Sequence, residues 1–107
     1  MRYYKHLYLA ESLEKKKDKI IQKLEKNKFQ LNVHLIVLPR TEKNQLEIMD
    51  SHVLLQPAYP KDDLFVIGIV PGYEDALEFI ENIVQEVYAD TQGTDIRNYI
   101  LKKEQED

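Results

Sequence analysis

The chain of 107 residues has no cysteine and no tryptophan, and only three glycines, four prolines and two serines. Without cysteine there is no disulfide framework, no thiolate metal site and no cysteine nucleophile. The same absence suits a reducing compartment, so the protein is expected in the cytoplasm. Neither a P-loop nor a dinucleotide-binding glycine pattern is present. Ser12 and Ser51 stand outside any G-x-S-x-G elbow and read as helix caps. Long apolar runs are missing too. The longest, residues 64–70, falls well below the roughly 18 to 20 residues that cross a bilayer. The first six residues lack the apolar stretch of a signal peptide. No membrane partner is expected.

The histidines are few and scattered. His6, His34 and His52 have no partners at the spacing that metal sites use on helices or hairpins. Neither a metal nor a cofactor is therefore expected. His34 reads as a hydrogen-bonded core or interface residue. His52 lies two residues from Asp50, a spacing that supports acid–base work only weakly. No residue is assigned a catalytic role.

What is there reads as one ordinary globular domain, residues 1–107, with 43% hydrophobic and 32% charged residues. Residues 3–9 mix aromatic and apolar side chains and predict a strand. Ser12 is placed to cap a helix running to Lys26, with Leu13, Ile20, Ile21 and Leu24 on one stripe. Residues 31–38 predict a central strand, followed by a turn over 39–43. Residues 45–49 suit a hairpin partner, although Leu46, Met49 and Val53 also fit a longer helix. Asp50 or Ser51 would then cap a short helix through Leu55. Pro57 and Pro60 predict a loop over 57–63.

Residues 64–70 are the clearest strand. Ala76, Leu77, Phe79, Ile80, Ile83, Val84 and Val87 form the apolar face of a long helix that Gly93 should end. Thr94 or Asp95 caps a last helix carrying Ile96, Tyr99 and Ile100, and the final four residues should fray. The expected fold is α+β. It is a two-layer sandwich with a mixed sheet of three to four strands, two long helices on one face and a short C-terminal helix.

The first strand–helix–strand unit is expected to be a parallel, right-handed crossover. That arrangement would put Ser12 at the same sheet edge as Arg40 and Thr41. Tyr73 and Glu74 would join them if the third long strand is parallel. Ser12, Arg40, Tyr73 and Glu74 are thus the candidate ligand site, with Arg40 the partner for a carboxylate or phosphate. Glu11, Glu14, Glu74 and Asp75 in the first helical turns argue against phosphate and suit helix dipoles better.

Charge carries the most specific signal. Residues 1–44 hold 11 basic and 5 acidic residues, a net of +6, whereas residues 45–107 hold 4 and 14, a net of −10. On a helical projection Lys15, Lys16, Lys19, Lys23 and Lys26 fall within an arc of about 100°. Glu78, Glu81 and Glu86 lie opposite the apolar face of the second long helix. Such sorting can keep two helix faces soluble, join two copies across a two-fold axis, or bind an anionic partner. Nucleic acid is disfavoured by the acidic half. The seven tyrosines suit half-exposed strand positions and interfaces. The expectation is a non-enzymatic interaction or regulatory module, homodimeric, with a further protein partner possible.

Overall fold

Phe, Val, Ile, Gly, Ile and Val in succession form a strand that is buried along its whole length. Neighbouring strand residues point to opposite faces, so both faces of the sheet are covered at this strand. The structure is a computed structural model and describes residues 1–40 and 45–106. The chain runs β1 (Arg2–Leu9), a 3-10 turn (Glu11–Lys16), α1 (Lys17–Glu25), β2 (His34–Val37) and β3 (Glu47–Asp50). Two more 3-10 turns (Ser51–Leu55 and Lys61–Asp63) lead to β4 (Phe65–Val70), α2 (Tyr73–Thr91) and α3 (Ile96–Gln105). The four strands make one mixed sheet in the order β1-β4-β2-β3. The fold is α+β as expected, one mixed sheet of four strands with three helices among the described residues.

Tyr3 and Tyr4 are adjacent on β1 and point to opposite faces. The Tyr3 hydroxyl donates to Glu25 at the end of α1 (2.7 Å). Tyr4 packs edge-on against Phe65 and lines a pocket with Tyr99 of α3. The helices are thereby divided between the two faces. α2 packs on β2, β3 and β4, and α3 packs on β1 and α2. Gly68 sits at a close approach of two strands. A Cβ there would stand 3.2 Å from the Tyr8 carbonyl oxygen and 3.1 Å from Ile36 Cδ1, where the register of β1 against β4 shifts.

β1 is parallel to β4, but β2 is antiparallel to β4. The expected parallel crossover from β1 to β2 is therefore absent, because the chain comes back before the second strand begins. α1 ends in a Schellman motif. Asn27 takes a left-handed conformation (φ 56°), Lys28 N–H donates to Lys23 C=O (2.9 Å) and Asn27 N–H donates to Leu24 C=O (3.3 Å). Residues 26–33 then return to the end where β1 and β4 finish, so that His34 pairs with Val70. Asn32, also left-handed, keeps Leu31 out of the sheet, and β2 starts three residues later than the sequence suggested.

Local chemistry settles the other element ends. Ser12 caps nothing. It lies inside the first 3-10 turn, whose N-cap is Ala10 with no side-chain bond. β3 is the hairpin partner of β2, and the Asp50 carboxylate accepts from His52 N–H at the turn that follows (2.9 Å). The 57–63 loop contains the short Lys61–Asp63 turn. α2 ends at a left-handed Gln92 (φ 60°), not at Gly93, with Thr91 Oγ1 donating to Val87 C=O and accepting from Gly93 N–H.

Asp95 caps α3 by accepting from Asn98 N–H (3.0 Å). Fraying does not start at Glu104. That residue is helical, and its carboxylate accepts from Lys5 N–H on the free edge of β1 (2.8 Å). Residues 41–43 of the expected turn and Asp107 lie outside the described residues. Among the described residues no helix is long and apolar enough to cross a membrane.

Candidate functional site

Antiparallel β2 separates the four residues expected to share a sheet edge. Ser12 follows β1, and Tyr73 and Glu74 open α2 just after β4, so these three belong to one end of the sheet. Arg40 follows β2 and lies at the opposite end, where it pairs with Asp63 (3.1 Å). The ligand site drawn with Arg40 is thus not assembled. Thr41, expected beside it, lies outside the described residues.

The end that keeps Ser12 carries a groove of about 670 Å³. Ser12, Lys16, Lys19, Lys23, Phe29 and Leu31 line it, and no Asp or Glu is among its lining residues. Lys15 and Lys16 wind in the 3-10 turn, so the five lysines do not share one helical arc. Lys16, Lys19 and Lys23 face the groove, while Lys15 and Lys26 are exposed outside its lining. Their (CH₂)₄ stems lie along apolar surface with the ammonium groups outward. Phe29 and Leu31 are 61% and 70% exposed.

Phe29 is held by a polar cluster that sequence spacing did not bring together. Its ring stacks on His52 with centroids 4.6 Å apart. His52 Nε2 stands 3.0 Å from the Gln30 carbonyl, which can only accept, so that nitrogen carries the proton. His52 Nδ1 faces Asp50 Oδ1 at 3.4 Å, and His34 Nε2 faces Asp50 Oδ2 at 3.7 Å. His34 and Asp50 meet because they are register partners across β2 and β3, a fact only the pairing supplies. The cluster ties residues 29 and 30 to the β3 corner and so presents Phe29 at the groove. Among the described residues no three His, Asp or Glu side chains are placed to hold a metal ion.

The acidic surface lies on α2. Six large hydrophobic side chains are exposed among the described residues, and four of them are Tyr73, Leu77, Val84 and Tyr88. The steps of four, seven and four residues put them on one stripe of the helix, beside the buried face of Ala76, Ile83 and Val87. Glu74, Glu78 and Glu81 are exposed beside or beyond the stripe. Glu86 is otherwise engaged. Its Oε2 accepts from the hydroxyls of Tyr8 (2.6 Å) and Tyr99 (2.9 Å), which removes it from the expected interaction surface. Burial first, and these carboxylate contacts second, push the Tyr8 and Tyr99 phenols far above their usual ionisation range.

Compared with known protein families, curated proteins and solved structures, the chain matches none.

Proposed function

We propose that the chain is a non-enzymatic association module that forms a homodimer, in which the α2 stripe of each copy lies in the lysine groove of the other. One observation carries this reading. Among the described residues the six exposed large hydrophobic side chains fall in two places, a basic groove and an acidic helix face. Apolar surface supplies association energy, and the charges around it supply register and partner choice. Lys16, Lys19 and Lys23 are complementary to Glu74, Glu78 and Glu81 in sign. Pro71 lines the groove two residues before α2 opens with Tyr73, so the two surfaces adjoin on one copy. Adjoining complementary patches close across a two-fold axis without growing into a filament.

Light scattering across a concentration series in low and in high salt tests this. The dimer is expected in low salt, with weaker association when salt screens the charges. A strict monomer at high concentration in low salt overturns it. Retention on heparin by such a monomer would instead support an anionic partner for the groove.

A further inference from the structure

A separate pocket of about 370 Å³ lies between β1 and the α2–α3 pair, lined by Tyr4, His6, Tyr8, Glu86, Tyr99 and Lys103. Three phenol rings and an imidazole form most of its wall. Tyr4 is only 3% exposed, yet its hydroxyl makes no hydrogen bond to any described residue. That hydroxyl lies in the field of the Glu86, Glu104 and Glu106 carboxylates. The hydroxyl is not sealed from solvent, so Tyr4 offers an open polar position at the pocket.

Among the described residues neither Glu86 nor Asp90 forms an ion pair with a lysine or arginine. Tyr99 has one proton and two acceptors within reach, Asp90 Oδ2 at 2.6 Å and Glu86 Oε2 at 2.9 Å. Tyr8 gives its own proton to the same Glu86 oxygen. Glu86 and Asp90 are one helical turn apart, where like charges repel. Among the described residues the one side-chain ammonium lining the pocket belongs to Lys103, and it already sits 5.6 Å from the Tyr99 ring centroid. The chain thus places a cation of its own against this aromatic wall. A second cleft, of about 590 Å³, adjoins through Tyr99 and Lys103 and gives room for substituents.

We propose that this pocket binds an organic ammonium ion, with its N–CH₃ or N–H groups against the Tyr4, Tyr8 and Tyr99 rings and its charge facing Glu86. The negative faces of the rings attract the cation, and Glu86 and Asp90 supply the countercharge. The Tyr4 hydroxyl accepts from an N–H or hydroxyl substituent. Lys103 holds the position in the free protein and swings out on its flexible stem when the ligand enters. An inorganic cation suits the site less, because no three carboxylate or imidazole groups converge on it among the described residues. An anion would meet the Glu86 carboxylate in the pocket and those of Asp90 and Glu106 in the adjoining cleft.

Choline chloride titrated into the protein, with sodium chloride at matched ionic strength as control, tests the site by NMR. The expected result is a saturable shift of the Tyr4, Tyr8 and Tyr99 ring signals, with a Kd on the order of 1 mM. Glu86→Gln should weaken binding about tenfold, the loss expected for one countercharge. Lys103→Ala removes the resident cation and should tighten binding. Because Lys103 is partly exposed and accepts truncation more readily, that variant keeps the test decisive even where Glu86→Gln does not fold. An intact amide spectrum with no saturable response to choline overturns the proposal. So does an equal response to sodium chloride, or weaker choline binding by Lys103→Ala.

Discussion

Tyr3, Tyr4, Tyr8 and Tyr99 are partly or largely buried beside carboxylates, and this couples the fold to alkaline pH. Burial is the first cause in each case and the neighbouring carboxylates the second, and both favour the neutral phenol. Tyr4 is pushed from 10.0 up to about 12, and the other three go higher. An unfolded chain would release these protons near the ordinary value of 10.0, whereas the folded chain holds them beyond it. Above that pH the unfolded state therefore binds fewer protons than the folded one, and stability falls as pH rises. The contribution is fully present below 10.0 and is lost on rising through about 12 and beyond. Tyrosinate absorbance and circular dichroism followed against pH should change together at the alkaline end. Ionisation of all seven tyrosines near 10 with the dichroism unchanged would contradict this. None of these contacts is legible as a pattern, since Tyr8 and Glu86 are 78 residues apart in sequence.

The ends of elements decide what periodicity alone cannot. α2 is plain in the sequence because its apolar face recurs over five turns, and the Asp95 cap is plain because the side chain acts three residues away. The first helix is half legible. Its stripe of Ile20 and Leu24 is buried as expected, but residues 11–16 wind as a 3-10 turn. The direction of β2 was lost at the same place, since it depends on how residues 26–33 bring the chain back. Asn27 was the signal available there. An asparagine just past a helix suits the left-handed position that closes a Schellman motif, and here Lys61 Nζ also donates to its Oδ1 (2.8 Å) and to Leu24 C=O. Asn27→Val forces a β-branched residue into that conformation and should destabilise the protein by about 1–2 kcal/mol. Asn27→Gly accepts the conformation and loses only the partly exposed Lys61 contact, so it should fall within about 1 kcal/mol of the parent. Urea denaturation of both variants checks the difference. Equal stabilities would remove the left-handed position from the account.

Charge belongs to the whole molecule. Its opposition between the two halves is visible as a count, but where the charges stand depends on the sheet order. That order sends Arg40 to the far end, engages Glu86 with Tyr8 and Tyr99, and leaves Lys16, Lys19 and Lys23 around Phe29 and Leu31. If these surfaces join two copies, reversing either one should break the pair and reversing both in different copies should restore it. Lys19→Glu with Lys23→Glu makes both surfaces acidic, and Glu78→Lys with Glu81→Lys makes both basic. Each variant alone then meets like charge across the two-fold axis, and its dimer dissociation constant should rise at least about tenfold. In an equimolar mixture the acidic groove of one copy faces the basic helix of the other, and the second contact sets the unchanged basic groove against the unchanged acidic helix. Light scattering in low salt should therefore find two monomers that dimerise when combined, and salt near 1 M should weaken the mixed pair as the screening length falls to about 3 Å. All four positions are at the surface or partly exposed, so the fold should tolerate the changes. Variants that dimerise as the parent does, or a mixture that stays monomeric, would leave the sorted charges with no role beyond solubility.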